Sequence, residues 1–179
     1  FEHTSDNMSA SNRIVQQLHH AGIPVVLIDR DVGPFPHRNT LDLIGIDNFA
    51  GGYFLAEHLI KLGMRRIGCC SLPFSAPPVE GRIAGARAAM HEHGMEMPKE
   101  FVQTGDPSDP KLVRGFIKNQ QLEAVMCTTD LVAAKFLQTL SRINISVPQE
   151  LRLVGFDDLR VASLFDSLSH PSLLDVIHL

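Results

Sequence analysis

The chain has 179 residues, of which 44% are hydrophobic and 20% are charged, with a formal net charge of −4. This composition is typical of a globular protein with a sizeable core, and it lacks the basic surplus of a nucleic-acid-binding segment. We find no basic-then-apolar signal peptide and no apolar run near the ~20 residues that span a bilayer, so we expect no membrane partner.

The chain starts with Phe1 rather than Met, in the polar stretch FEHTSDNMSASNR. We therefore expect a fragment of a longer protein whose other parts carry some of the function. The three cysteines, Cys69, Cys70 and Cys127, lie in apolar runs. Their odd number does not suit a disulfide framework, so we interpret them as buried free thiols in a reducing cytoplasm rather than redox or metal ligands.

Short apolar runs rich in β-formers alternate with stretches whose apolar residues recur at helical spacing. Strands are predicted at 23–28, 41–46, 65–70, 100–104, 123–128 and 151–156, and helices at 8–20, 48–62, 79–93, 109–119 and 130–142. Most strands lack polar alternation, which predicts burial on both faces in a parallel sheet. Gly22, Gly63 and Gly94 are predicted C-terminal caps of helices. This order predicts an α/β fold with right-handed crossovers.

Polar residues follow nearly every predicted strand, where the ligands of parallel sheets gather. They are Asp29, Arg30, Asp47, Asn48, Ser71, Thr128, Thr129, Asp130, Asp157 and Asp158. Helix capping is the competing interpretation, because Asn48, Thr129 and Asp130 also stand where an N-cap is wanted. Residues 29–40 are predicted to form a surface loop because they are rich in turn residues.

Signatures of catalysis are missing from the sequence, which has no P-loop, no nucleophile elbow and no HExxH pair. His91 and His93 are two residues apart and would point in different directions on a helix, so we expect no metal site there. Likewise, we expect no catalytic residues and no cofactor.

Five motifs occur in order with helix-length spacing: IPVVLIDR, IGIDNFAGGYFLAEHLIKLGMRRIG, GRIAGARAAM, TTDLVAAKFL and VPQELRLVGFDD. They resemble the effector-binding domain of the lactose/galactose repressor family of bacterial transcription regulators, and the match covers roughly residues 11–167. Periplasmic sugar-binding proteins share that fold. The C-terminal stretch SLSHPSLLDVIHL departs from the family's Pro-Leu-Thr-Thr pattern.

The resemblance implies a two-lobed, periplasmic-binding-protein-like fold, with parallel sheets flanked by helices and the ligand between the lobes. By this assignment, residues 1–62 form part of the N-terminal lobe and residues 65–162 form the C-terminal lobe. Residues 163–179 are assigned to the crossover and tail. The family's DNA-binding headpiece would lie outside this chain.

The family's Arg-x-x-Gly motif matches RIAG and implies that Arg82 grips ligand hydroxyls, which suits the planar fork of a guanidinium. An exposed helix arginine is the alternative. The family's Asn-Asp-x-x-Ala motif appears here with Thr129 and Asp130, so a ligand-binding amide is lost and the effector is expected to differ from a typical hexose. Asp130 serves either as a ligand contact or as a helix cap. Ser75 is a further ligand-binding candidate.

Two adjacent carboxylates, Asp157 and Asp158, end the Gly-Phe-Asp-Asp motif. Neighbouring residues at a strand end point in opposite directions, so the two do not form a facing acid–base pair. The resemblance implies that Asp157 faces the cleft and accepts hydrogen bonds from sugar hydroxyls. Asp158 would hold the turn that follows.

These assignments predict a cytoplasmic, homodimeric sensor of a small polar effector such as a sugar, which contacts DNA only through a missing domain. Effector binding would close the lobes and change the separation of the headpieces. The alternatives are a transport-linked periplasmic sugar-binding protein and, from a different class, an enzyme such as a sugar hydrolase. The enzyme would need two carboxylates ~5–9 Å apart across the cleft.

Overall fold

The computed structural model describes residues 5–157, with side chains from residue 10 onward. The helices are α1 (Ser5–His20), α2 (Asn48–Lys61), α3 (Pro77–Glu92), α4 (Pro110–Gln120) and α5 (Asp130–Arg142). The strands are β1 (Val26–Ile28), β2 (Asp42–Ile44), β3 (Ile67–Ser71), β4 (Val102–Thr104), β5 (Ala124–Cys127) and β6 (Arg152–Val154), and a short 3-10 helix, Lys99–Phe101, precedes β4. Each predicted helix and strand is confirmed.

The strands form two parallel sheets. One contains β1 and β2, and the other has the order β4-β3-β5-β6. In the larger sheet Cys69 pairs with Val102 on one side, while Cys70 pairs with Cys127 on the other. All pairings are parallel, as the uninterrupted apolar runs predicted. The α/β class is confirmed.

Burial differs between the two sheets. All residues of β3 and β5 are buried, as expected for strands covered on both faces. In contrast, Val26, Ile28 and Ile44 of the smaller sheet are 52%, 77% and 66% exposed. The expectation of full burial is therefore wrong for β1 and β2. The described part of the chain contributes only these two short strands to the sheet, so their side chains have few neighbours to pack against.

Helices α2 and α3 cross at glycines that allow their backbones to touch. A Cβ at Gly52 would lie 1.9 Å from the carbonyl oxygen of Arg82, and one at Gly85 would lie 1.9 Å from that of Phe49. The buried side chains of α2, such as Leu55 and Leu59, belong to the same hydrophobic core as α3 and the larger sheet. The lobe boundary after residue 62 stays a prediction, and this packing favours a boundary before α2.

Helix ends follow the capping signals only in part. Gly22, Gly63 and Gly94 have φ values of +69°, +88° and +69°, which suits C-terminal glycines. Thr129 caps α5, because its hydroxyl accepts a hydrogen bond from the Val132 amide at 3.3 Å.

Two predicted N-caps are wrong. Asp47 caps α2, with its Oδ1 atom 2.9 Å from the Ala50 amide nitrogen. Asn48 is therefore the first residue of the helix. Asp130 is likewise the first residue of α5, because Thr129 already holds the cap position. The side chain of Asn48 therefore makes a different contact, with Arg82.

The three cysteines are buried free thiols, as expected. Burial raises the pKa of Cys70 to about 12 and raises the pKa values of Cys69 and Cys127 well above their ordinary range. None of the helices in the described range is long and apolar enough to cross a membrane. Residues 5–157 also contain no group of three or more His, Cys, Asp or Glu side chains placed to hold a metal.

Candidate functional site

The Arg82 side chain is the centre of the candidate site. Its Nε atom donates to Oδ1 of Asn48 at 2.9 Å, and Nη1 donates to the Thr128 carbonyl at 2.5 Å. Its Nη2 atom lies 3.2 Å from Oδ1 of Asp157, and Cζ lies 3.7 Å from the centroid of the Phe156 ring. Arg82 is only 5% exposed, so the alternative of a surface helix arginine is wrong.

Four elements bring these partners together. The close crossing at Gly52 and Gly85 places Arg82 of α3 beside the first residue of α2. Thr128 and Asp157 follow β5 and β6, which are neighbours in the larger sheet. Because parallel strands end at the same edge, both residues meet the guanidinium there. The sheet edge and the helix crossing together fix the position of this arginine.

Burial works against both charges of the Arg82–Asp157 pair. Desolvation is the largest effect on each partner: it lowers the pKa of Arg82 and raises the pKa of Asp157, in opposition to their mutual attraction. The nearby carboxylates of Asp130 and Asp29 add to the rise in the pKa of Asp157, and they oppose the fall in the pKa of Arg82. The pair is therefore costly to bury, and hydroxyl donors from a ligand would compensate the carboxylate for the water that it has lost.

The structure places Asp130 next to this pair. Asp130 is 2% exposed, and its amide donates to the Phe156 carbonyl at 2.7 Å. A Cβ at Gly155 would lie 2.3 Å from Oδ1 of Asp130, so this glycine makes room for the carboxylate. Asp130 thus belongs to the charged cluster around Arg82, and its contact with a ligand stays a prediction.

The other two ligand-binding candidates make local hydrogen bonds. The Thr129 hydroxyl caps α5, and the Ser75 hydroxyl donates to the Leu72 carbonyl at 2.6 Å. Their predicted ligand contacts are not tested by these bonds, because a hydroxyl can make more than one. Asp158 and the tail 163–179 lie outside the described residues.

Sequence reasoning missed two partners of Arg82. The sequence marks Asn48 only as a strand-end residue and an N-cap candidate, whereas its amide oxygen accepts from Nε of Arg82. Phe156 lies in the Gly-Phe-Asp-Asp motif, and its ring stacks on the guanidinium. Gly51 makes room for this ring, because a Cβ there would lie 2.4 Å from it, but nothing in the sequence pairs Gly51 with Phe156.

A cleft with a volume of about 360 Å³ borders this cluster. It lies between the loop 29–40, the end of β2 and the first turns of α2 and α3. Asn48 and Gly81, which line the cleft, are respectively a partner and a sequence neighbour of Arg82. The remaining lining residues are Asp29, Arg30, Asp31, Phe35, Pro36, His37, Arg38, Leu43, Gly45, Ile46, Asp47, Phe49, Pro77 and Pro78.

Residues 56–173 match the family model of the periplasmic binding protein-like domain. Among curated proteins, the ribose operon repressor of Escherichia coli K12 is 31% identical over 148 residues, which are 79% of this chain and 43% of the repressor. The transcriptional repressor PurR of Klebsiella pneumoniae is 34% identical, with 80% of this chain and 42% of PurR covered. The chain thus spans less than half the length of these relatives.

Solved structures give the same relationship. A complex of the transcriptional regulator CelR with cellobiose has a TM-score of 0.71 at 29% identity, covering 83% of this chain and 46% of CelR. A regulator from Enterococcus faecium with bound ribose has a TM-score of 0.68 at 20% identity, covering 87% of this chain and 57% of that one, and shows the fold alone. These relatives are transcription regulators rather than enzymes. The chain therefore belongs to the periplasmic binding protein-like domain family, and its relatives are repressors of the lactose/galactose repressor family.

Proposed function

We propose that this chain is the effector-sensing part of a bacterial transcription regulator. The observation that carries the proposal is the ion pair between the buried Arg82 and the partly exposed Asp157, together with a cleft that is lined by Asn48, a hydrogen-bond partner of Arg82. Its guanidinium and carboxylate can together donate to and accept from neighbouring hydroxyl groups. The repressors among the relatives support a regulatory role for such a site.

The proposed effector is a sugar or a related small polar molecule. The relative CelR carries cellobiose in its solved structure, which supports this class of ligand. Arg82 and Asp157 are the proposed main ligand contacts, with Asp130, Thr129 and Ser75 as additional ones. Asp157 is accessible enough to meet a ligand, since its side chain is 30% exposed, whereas Arg82 at 6% needs a local rearrangement or contact at its edge.

Coupling to DNA is proposed to run through closure of the two lobes in a cytoplasmic homodimer. The lobe boundary is proposed to lie before Asn48, because α2 shares the core of α3 and the larger sheet. The proposed boundary then falls between the end of β2 at Ile44 and the start of α2 at Asn48. The hydrogen bond from Arg82 to Asn48 lies directly beside it. An effector that binds the closed form better would shift the equilibrium and change the affinity of a separate headpiece for DNA.

A transport-linked periplasmic sugar-binding protein shares the fold and was the alternative. The relatives described above are repressors, which favours regulation. A sugar hydrolase is disfavoured for the same reason.

The test uses the full-length protein that contains this chain. Thermal-shift screening of a sugar panel selects a ligand, and fluorescence anisotropy then measures DNA affinity with and without it, using DNA from upstream of the protein's own gene. The proposal expects a change of at least about fivefold in DNA affinity, the lower range of allosteric coupling. Tight sugar binding with unchanged DNA affinity would overturn the regulatory role, and no binding across the panel would overturn the sensing role.

A further inference from the structure

We propose that Asn48 is a positioning residue that couples Arg82 to the β2–α2 connection, residues 45–47, so that an effector bound at Arg82 acts on this connection. The inference rests on the proposed function and adds a route from the ligand to the lobe boundary. The Asn48 side chain makes two hydrogen bonds. Its Oδ1 atom accepts from Nε of Arg82 at 2.9 Å, and Nδ2 donates to the Ile46 carbonyl at 3.2 Å. One amide group thus links the arginine to the backbone of the connection.

An amide is the group that this link requires. The guanidinium of Arg82 can only donate, and the Ile46 carbonyl can only accept. A side-chain amide offers both an acceptor and two donors, whereas a carboxylate offers acceptors alone. Because Asp47 already caps α2, the Asn48 side chain is not needed at the helix end. Both of its polar groups therefore serve the link.

Asn48 differs from the other polar partners of Arg82 in its place in the fold. The Thr128 carbonyl and the Asp157 carboxylate follow β5 and β6, which are neighbours in the larger sheet. Asn48 is the first residue of α2 and directly follows the β2–α2 connection. Among the hydrogen-bonded and ion-paired partners of Arg82 within residues 5–157, it is thus the one that adjoins a segment leading to the smaller sheet.

The β2–α2 connection is held at both ends. At the β2 end, the Asp29 amide donates to the Ile44 carbonyl at 2.8 Å, and a Cβ at Gly45 would lie 3.2 Å from the Asp29 carbonyl oxygen. At the other end, Asp47 is the N-cap of α2. A shift of Ile46 between these fixed ends is therefore passed on to β2 and α2 rather than absorbed by a slack loop.

Ligand binding at Arg82 displaces the group that Asn48 holds. The Arg82 side chain is only 6% exposed, so a ligand oxygen that attracts Nη1 or Nη2 has to turn the whole planar guanidinium. Nε turns with it and carries along its acceptor on Asn48. Helix α3 leaves Asn48 little room to yield sideways, since a Cβ at Gly81 would lie 3.4 Å from the Cβ of Asn48. The displacement therefore reaches the Ile46 carbonyl.

The test uses the full-length protein and measures the response of DNA binding to the effector. The probes are ribose, glucose, galactose and cellobiose, and calorimetry selects the sugar that binds most tightly and gives its saturating concentration for each variant. Fluorescence anisotropy then gives the response ratio, which is the DNA affinity without this sugar relative to that at saturation. Saturation removes any change in sugar affinity from the response ratio, and a loss of stability alone does not alter it.

The main variant is Asn48→Asp, which keeps an acceptor for Arg82 but removes the donor to the Ile46 carbonyl. Asn48→Ser is the second variant, because its short hydroxyl cannot span both partners and it adds no charge. The control is Asn119→Asp, which makes the same charge change at an exposed residue of α4 outside the cleft. Melting temperatures confirm that each variant is folded.

We expect the response ratio to fall from at least about fivefold in wild type to less than about twofold in both Asn48 variants, and to stay unchanged in Asn119→Asp. A fivefold ratio corresponds to about 1 kcal/mol, and the net contribution of one hydrogen bond is of the same order. Loss of the link between Asn48 and Ile46 is therefore large enough to remove most of the response.

The outcomes separate this inference from the proposed function. A wild-type response ratio in either Asn48 variant would overturn the inference and leave the proposed function standing; if only Asn48→Asp responds, charge rather than the amide link is the cause. Loss of all sugar binding in both variants would also overturn it, because Asn48 would then shape the site rather than couple it. If wild type binds no sugar of the panel, or binds one without a change in DNA affinity, the proposed function fails and the inference fails with it.

Discussion

The Nη2 atom of Arg82 lies 3.2 Å from Oδ1 of Asp157, so residues that are 75 positions apart in the chain form one ion pair between a buried guanidinium and a partly exposed carboxylate. The other nitrogen atoms of the guanidinium are also engaged, by Asn48 and by the Thr128 carbonyl. Arg82 of α3 thus joins the start of α2 to the ends of β5 and β6. It has a structural task as well as its proposed ligand-binding task.

This structural task predicts that Arg82→Lys lowers stability although the charge is kept. A lysine cannot reproduce the planar fork, so either Oδ1 of Asn48 or the Thr128 carbonyl loses its donor. We expect a loss of about 2–4 kcal/mol in the free energy of unfolding, measured by urea denaturation. The control is Arg142→Lys at an exposed site, with an expected change within about 0.5 kcal/mol. Equal stability of the two variants would contradict the role of the fork.

The contact between α2 and α3 predicts a large penalty for small substitutions. In Gly52→Ala or Gly85→Ala, the new methyl group would lie 1.9 Å from a backbone oxygen of the facing helix. Because backbone atoms cannot rotate away, we expect a loss of more than about 3 kcal/mol, seen as a fall in melting temperature.

Gly115 of α4 is the matched control for these glycines. A Cβ there would meet only Nδ2 of Asn119, at 3.9 Å. We therefore expect Gly115→Ala to raise stability by about 0.5–1 kcal/mol through its better helix propensity. If all three alanine variants behaved alike, the close approach of the two helices would be wrong.

Thr128 carries a buried hydroxyl without a hydrogen-bond partner in the described part of the chain. Burial of an unpaired hydroxyl is costly, so the isosteric Thr128→Val change is expected to stabilise the fold by about 1 kcal/mol. Thr139 is the matched control, because its buried hydroxyl donates to the Pro107 carbonyl at 2.7 Å. Thr139→Val is expected to cost about 1–2 kcal/mol. Chemical denaturation of both variants checks the opposite signs, and a loss of stability in Thr128→Val would refute the assignment.

The hydrogen bonds of the Glu123 carboxylate predict that the stability of the fold depends on pH. Its Oε2 atom accepts from the amides of Arg65 and Arg66 at 2.6 and 3.1 Å, and these two bonds lower the pKa of its carboxyl below 4.5. A carboxyl whose pKa is lower in the folded state stabilises that state at every pH above its unfolded-state pKa. This stabilisation is lost as the pH falls through the folded-state pKa.

We accordingly expect Glu123→Gln to cost about 0.5–1 kcal/mol at neutral pH, a small value because solvent screens an exposed carboxylate. The difference from wild type should shrink as the pH is lowered from about 5 to about 3. Melting temperatures across this range measure it, with the exposed Glu96→Gln as control. A difference that stays constant with pH would exclude the predicted linkage.

Patterns within short segments predicted the helices, the strands and the parallel pairing. The apolar runs around Cys69 and Val125 and the glycines at helix ends are local signals, and the structure follows them. The resemblance added Arg82 and Asp157, which the structure brings together. These features depend on periodicity and motif, which a single sequence contains.

The other partners of Arg82, the exposure of the smaller sheet and the cleft depend on packing between segments that are distant in the chain. The roles of Asn48 and Phe156 follow from the glycine crossing and from Gly51, and no periodic pattern reports which backbone a glycine will touch. The exposure of Ile28 and Ile44 likewise depends on what lies next to the sheet rather than on the strand itself. The cleft is a property of loops and helix ends from separate parts of the chain.

The central claim is that an effector binds at the Arg82–Asp157 pair. The most direct measurement is calorimetric titration of the best sugar or sugar derivative into full-length wild type, Arg82→Ala, Asp157→Asn and the exposed control Arg142→Ala. Since truncating one partner of a hydrogen-bonded charge pair in a binding site costs at least about 2 kcal/mol, we expect each site variant to weaken binding by about 30-fold or more. The control should bind as wild type does. Wild-type affinity in both site variants, with the fold retained, would contradict the account.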